Sequence, residues 1–339
     1  MQIESPTESA ARCASLLPRV DSGELDCVSD NLALLLAHAG LADVRTPFAV
    51  DWRFDLVRGP AGFPRIDLPP ADMERLLGLR TGLAPRWKRL ASLEGAVDEW
   101  RQELGRGQPV LAVGDAYHLP WVPYRGHQHL DHSFVVEGLV AGENCLRAQV
   151  VDAYDNATEW GRATPVATEV DLSDLAAAVE RGSWAVLVSV GAPAPFDPAQ
   201  QLAQNAAAIL AADGAGSYRE VIETHRAMDL RSLDSLALTT WLVARNRGLH
   251  ARWLRDQSGW LTGAGLADLA DRFEAEVVAC WRRAAESAYI GLRRVRAGRS
   301  APPVALAALE TAAAAEPCLA ASLARALDGL PTLPAWSRP

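Results

Sequence analysis

Apolar positions change their period along the chain, and each change predicts an element. Over residues 27–39, Leu32, Leu35, Leu36 and Ala39 recur at helical spacing and Gly40 supplies a stop, which predicts a helix. The stretch "TPFAVDWRFDLVRGPAGFPRIDLPP" (46–70) loses any period and reads as turns. A short helix, "ADMERLLGL", follows Pro70. Another covers "SLEGAVDEWRQELGRG", with Ser92 as its N-cap and Gly105 near its end. Val-rich runs bounded by Gly or Pro then predict strands at 109–117, 132–142, 145–154 and 184–192, with a helix, "SDLAAAVERG", between the last two. After the Pro-rich run "GAPAPFDPAQ" (191–200) only alanine-rich, helix-period segments remain. The expected organisation is an α+β domain over residues 1–195 and an all-α region over 196–339.

Composition narrows the class of protein. A chain of 339 residues, 49% hydrophobic and 22% charged, suits one large globular domain or two smaller ones. Its net charge of −9 argues against a nucleic-acid binder, whose footprint would be basic. The first residues, "MQIESPTESAARCASLLPRV", lack a basic segment followed by an apolar run, so no signal peptide is expected. No stretch approaches the ~18 to 20 uninterrupted apolar residues that span a bilayer, and a soluble, cytoplasmic protein is expected. The five cysteines (Cys13, Cys27, Cys145, Cys280, Cys318) are scattered, odd in number and without CxxC spacing. Neither a disulfide framework nor a zinc site follows from them.

One of these cysteines carries candidate chemistry. In "GELDCVSDNLALLLAHAGL", Cys27 falls at the expected start of a buried helix. There the helix dipole and unpaired N–H groups favour a thiolate and can hold an oxyanion. The alternative is a small apolar residue that simply fits. A base is offered by the histidine cluster His118, His127, His129 and His132, of which His132 alone opens a strand. The cluster also admits a histidine-rich surface loop or a metal site, though it lacks helical spacing and a nearby Cys or Glu ligand set. Asp152 ends the next expected strand. If the two strands form a hairpin, His132 and Asp152 lie on neighbouring strands within hydrogen-bonding reach, with Asp155 a competitor for the same role. The order Cys, His, Asp follows the logic of a papain-like triad: a helix-borne nucleophile with a sheet-borne base and acid.

Two segments carry a family resemblance. "DCVSDNLALLLAHAGL" resembles a pattern of His/Asp-Cys followed by a leucine-rich helix and Gly-Leu. "GQPVLAVGDAYHLPWVPYRGHQHLDHSFVVEGLVAGENCLRAQVVDAYD" resembles a pattern running G-x-PV, D-x-Y-x-LPY, two histidines, VVV-x-G and V-x-V-x-D. Over roughly residues 20–190 the chain is thus similar to the N-terminal domain of butirosin biosynthesis protein H and its relatives. The resemblance implies a papain-like cysteine-protease fold. It also implies an acyltransferase of antibiotic (secondary) metabolism, taking an acyl group from a carrier-protein thioester to an amine. Cys27 would then be the acyl-accepting nucleophile, His132 the base and Asp152 its orienting partner, with Asp115 and Tyr117 architectural. No bound cofactor is implied. The donor would be a phosphopantetheine thioester on an acyl or peptidyl carrier protein, and the acceptor a small-molecule amine.

Two departures stand out. The Gly-rich segment that often follows the first helix in relatives is replaced by "TPFAVDWRFDLVRG". The glutamine that papain-like peptidases place shortly before the cysteine is absent from "DSGELD", leaving the Cys27 N–H and Ser22 as oxyanion donors to consider. A thioesterase or cysteine peptidase using the same triad, and a non-catalytic papain-like scaffold, remain alternatives. The basic run "WRRAAESAYIGLRRVRAGR" (Arg282, Arg283, Arg293, Arg294, Arg296, Arg299) reads as a solvated helix face or a docking patch for an acidic carrier. Trp241, Trp253, Trp260 and Trp281 read as core or as an acyl pocket. The alanine-rich helices leave room for a homodimer.

Overall fold

A computed structural model describes residues 12–328 apart from 22, 59–61, 67–69, 91 and 143–144. Two compact units emerge: residues 1–47 with 74–194, and residues 48–73 with 195–339. The division near 195 falls in the Pro-rich run. The segment 48–73, expected in the first domain, instead packs in the helical unit.

The first unit is built on one six-stranded sheet. Its strands are β1 (Leu83–Arg89), β2 (Val110–Asp115), β3 (Asp131–Ala141), β4 (Leu146–Asp152), β5 (Val166–Asp171) and β6 (Ser183–Ser189). Their spatial order is β1-β6-β2-β3-β4-β5, and every neighbouring pair is antiparallel. Thus β2 to β5 form a meander, and β6 returns beside β2. The helices of this unit include α1 (Cys27–His38), α2 (Leu93–Gly105) and α3 (Leu172–Val179). Among them, α1 is buried on all sides from Ser29 to Ala37, the condition of a helix whose apolar residues surround it. Ser92 caps α2 by accepting from the Gly95 N–H.

The expected strands at 109–117, 132–142, 145–154 and 184–192 correspond to β2, β3, β4 and β6. The two that the pattern did not predict, β1 and β5, are the edges of the sheet. β1 holds Pro85 and three basic residues, and the first four positions of β5 alternate half-exposed with exposed. Edge strands tolerate such residues because one side has no partner strand to satisfy. Pattern reading therefore sees the centre of the sheet better than its rims.

The second unit is mainly helical, with α4 (Pro198–Gly214), α5 (Ser217–His225), α6 (Leu230–Asp256), α7 (Ala279–Arg296) and α8 (Val304–Asp328). Its core closes on a buried carboxylate. Glu316 accepts from Trp52 Nε1 (2.5 Å), Arg247 Nε (2.5 Å), Tyr218 O–H (2.9 Å) and Trp281 Nε1 (3.1 Å). Trp52 also meets Phe273 edge-on, and Phe54 stacks on Tyr218. These contacts explain why 48–73 belongs here. Trp253 and Trp281 are fully buried core residues, whereas Trp241 and Trp260 are half-exposed. Helix α8 is long and apolar enough to cross a membrane by length and composition, a test the sequence pattern was not expected to meet. Half of its apolar window is buried inside the protein, with Glu316 at its middle.

The whole is α+β, with an antiparallel sheet followed by helices, as expected. A helix bearing Cys27 packed against a sheet bearing His132 and Asp152 is consistent with a papain-like fold.

Candidate active site

Cys27 is the first residue of α1, and the helix starts there because Asp26 caps it. The Asp26 carboxylate accepts from the Ser29 N–H at 2.8 Å, while Ser29 Oγ accepts from the Asp26 N–H at 3.0 Å. This reciprocal box satisfies the third helical N–H. The N–H groups of Cys27 and Val28 have no hydrogen-bond partner among the described residues. The Cys27 carbonyl is pinned to β3, accepting from Ser133 Oγ (2.7 Å) and from Asn31 Nδ2 (3.0 Å). The cysteine side chain is half-buried, so the position is fixed and remains accessible.

His132 and Asp152 are brought together by strand register. β3 and β4 pair Val135 with Val151 and Val136 with Val150. Continuing that register sets Phe134 opposite Asp152, which makes His132 and Asp152 diagonal neighbours on one face. His132 Nε2 lies 2.7 Å from Asp152 Oδ2, and both side chains are buried. The competitor Asp155 is engaged elsewhere, gripped by Arg162 through two contacts of 2.8 Å.

Four donors surround the Asp152 carboxylate. Oδ2 accepts from His132 and from Trp121 Nε1 (2.9 Å). Oδ1 accepts from the Tyr154 N–H (3.0 Å) and from Asn31 Nδ2 (3.2 Å). Burial alone would raise its pKa, but the His132 charge and these hydrogen bonds hold it below the ordinary carboxylate range. For His132 the opposition is the same with the signs reversed. Desolvation lowers its pKa, yet the charge and hydrogen bond of Asp152, followed by the hydrogen bond and charge of Cys27, push it up to about 10. Since Nε2 faces Asp152, Nδ1 is the nitrogen left for the other partners of His132, Cys27 and Tyr124.

Several residues that pattern reading passed over complete this arrangement. Asn31, fully buried one turn after Cys27, reaches Cys27 O and Ser133 O (2.9 Å) with its amide nitrogen, and its Oδ1 accepts from the Ala153 N–H (3.0 Å). It thereby ties α1 to β3 and to the end of β4. The available signal was a polar residue inside a leucine-rich helix, four positions from the cysteine. Tyr124 places its hydroxyl 3.0 Å from His132 Nδ1, and Tyr154 meets the same imidazole edge-on.

The other histidines serve elsewhere. His129 pairs with Asp115 (2.6 Å) and stacks on Tyr117, while His127 stacks on Trp160. Asp115 also accepts from the Tyr117 N–H, so Asp115 and Tyr117 shape the turn after β2. No group of three or more His, Cys, Asp or Glu is placed to hold a metal ion among the described residues. Ser22, considered above as an oxyanion donor, lies outside the described residues.

Residues 26–153 match the family model described as Butirosin biosynthesis protein H, N-terminal. The matched span runs from the cap of α1 to the residue after Asp152. A search of curated proteins found no match.

Proposed function

We propose, from the family match over residues 26–153, that this protein is a cysteine-dependent acyltransferase of antibiotic or other secondary metabolism. Cys27 is the nucleophile, His132 the proton carrier and Asp152 its anchor. The donor is an acyl group on the phosphopantetheine of a carrier protein, and the acceptor is a small-molecule amine. The observation that carries this reading is the 2.7 Å contact from His132 Nε2 to Asp152, which leaves Nδ1 to serve the cysteine at the start of α1.

The steps follow from those positions. Nδ1 takes the Cys27 proton, and the thiolate sulfur bonds to the thioester carbon. The tetrahedral intermediate collapses, the carbon–sulfur bond to the pantetheine breaks, and the departing sulfur takes the proton back from Nδ1. An amine then attacks acyl-Cys27, giving up its proton through His132 as the Cys27 sulfur leaves. Exchange between two thioesters is nearly balanced, so the acyl-enzyme forms while staying reactive toward an amine. Such chemistry needs reduced thiols, which suits a cytoplasmic setting.

For the carrier, the relevant surface is at the end of α7. Tyr289, Ile290, Arg293, Arg294, Ala297 and Arg299 line a shallow depression, with Ile290 exposed. An acidic carrier fits that combination of arginines and apolar side chains.

Intact-protein mass after incubation with a panel of acyl-pantetheine thioesters tests the reaction, with Cys27→Ala in parallel. An adduct on the wild type alone, discharged by amines faster than by water, is expected. Discharge by water alone makes the protein a thioesterase or peptidase-like hydrolase, and an unreactive Cys27 makes it a scaffold.

A further inference from the structure

Attack on a thioester carbonyl places negative charge on its oxygen, and hydrogen-bond donors that meet that charge supply a large part of the rate. Here the Cys27 N–H is one such donor, and the glutamine that would supply a side-chain donor is absent from residues 21–26. Around the triad, most side-chain donors are already committed. Asn31 holds the Cys27 and Ser133 carbonyls, Ser133 Oγ donates to Cys27 O, Trp121 donates to Asp152, and Ser29 Oγ is bound within the cap.

Tyr124 is placed differently. It sits in a tight turn of the loop between β2 and β3, where its carbonyl accepts from the His127 N–H at 3.0 Å. Its side chain is 4% exposed, and its hydroxyl faces the one imidazole nitrogen that Cys27 must use. Burial raises the phenol pKa far above its ordinary value. The charges of Tyr154, Cys27 and Asp152 add to that rise, so the group remains a neutral donor and stands within the field of the cysteine sulfur. When His132 is neutral, Nδ1 carries a lone pair and accepts the Tyr124 O–H. When His132 has taken the Cys27 proton, Nδ1–H becomes a donor and the Tyr124 O–H, its proton still on the oxygen, is released from that hydrogen bond. Release thus coincides with the moment when an anion forms at Cys27.

We propose that Tyr124 is the side-chain oxyanion donor of this site: once His132 Nδ1 carries the Cys27 proton, the Tyr124 O–H is directed to the acyl carbonyl oxygen that Cys27 attacks. No proton leaves the phenol. The sulfur–carbon bond forms, the carbonyl π pair moves to oxygen, and the Tyr124 O–H hydrogen-bonds to it until collapse expels the leaving group. The proposal rests on the acyl-transfer reading for its substrate.

Two reactions of Cys27 separate this role from a structural one. Alkylation by iodoacetamide needs the thiolate but makes no oxyanion, whereas acylation by 4-nitrophenyl acetate needs both. Tyr124→Phe is expected to keep the alkylation rate within about threefold and to lower acylation roughly 100-fold, the scale of losing one oxyanion donor. Tyr117→Phe, which keeps the ring stacked on His129 in the turn after β2, is expected to change neither. Equal losses in both reactions would make Tyr124 only a support for His132, and an undiminished acylation rate, or the same split in Tyr117→Phe, would also overturn the proposal. If Tyr124→Phe fails to fold by circular dichroism, wild-type protein with fluorotyrosine at its tyrosines gives the same test. Its more acidic phenol should raise acylation relative to alkylation, and an unchanged ratio refutes the role. A wild type acylated by the nitrophenyl ester but by no acyl-pantetheine removes the carrier-thioester reading and leaves Tyr124 standing. Failure of Cys27 to react with either reagent overturns both.

Discussion

At the scale of single residues, the buried pair His132–Asp152 makes a pH-dependent contribution whose sign can be worked out. The folded pKa of His132, about 10, lies above its ordinary value near 6.5. Its stabilising effect is therefore complete below about 6.5 and is lost as pH rises through about 10. Asp152 is lowered, so its share is present above the ordinary carboxylate range and is lost as pH falls below that range, through its depressed folded value. Asp152→Asn removes the charge that holds the imidazolium, leaving desolvation to favour neutral His132. The variant should lose about 3 kcal/mol of unfolding free energy at pH 6, as expected when one partner of a buried pair is removed. The deficit should shrink toward pH 10, and the alkaline limb of Cys27 acylation should move to lower pH. Urea unfolding at several pH values measures the deficit. A gap that does not vary with pH would mean that His132 is neutral in the wild type.

The contact of His132 with Asp152 and the place of Cys27 at a helix start were legible in the sequence because each residue falls at the end of a patterned element. Their support was not. Asn31 looks like a flaw in an apolar helix until the Ser133 and Ala153 backbones are brought against it. Likewise, Trp121 and Tyr124 lie in a Pro- and His-rich loop with no period, so nothing local says that their polar atoms meet Asp152 and His132.

At the scale of elements, the position of His132 depends on the strand beside it. Gly114 on β2 pairs directly with His132 on β3. A Cβ built at Gly114 would come within 2.7 Å of the Ala178 carbonyl oxygen, a backbone atom of α3. A methyl group there has to push β2 away from α3, and His132 is carried with it. Gly114→Ala should cost roughly 2 kcal/mol, about 5 °C in melting temperature, by overpacking. It should also slow iodoacetamide alkylation of Cys27, because the base is displaced from the thiol. Loss of stability with an unchanged alkylation rate would show that β3 holds His132 independently of β2. The sequence reading did not single out Gly114. Its requirement comes from a helix some 60 residues later, and local pattern carries no trace of such a contact.

At the scale of the whole chain, the boundary near 195 was legible because strand signals stop at a Pro-rich run. The assignment of 48–73 was hidden by the same kind of evidence, since Trp52 and Phe54 sit in a stretch without period. The polar core around Glu316, contributed by residues far apart in sequence, together with the Asn205 and His250 contacts to the Val50 and Ala49 carbonyls, explains where they go. The arginine run of α7 is likewise divided by its contacts. Arg282 is paired with Glu274 and Arg296 with Asp234, while Arg293 lies over the Tyr289 ring, Arg294 donates to the Ser300 carbonyl, and both line the depression beside Ile290 with Arg299. Replacing these last three by alanine should raise the apparent KM for an acylated carrier protein by roughly tenfold, an effect that salt should reproduce in the wild type. The KM for the same acyl group on free pantetheine should not move, because that donor reaches Cys27 without a protein surface to dock. Steady-state kinetics with both donors decides the matter, and equal changes in the two would return the arginines to the role of a solvated helix face.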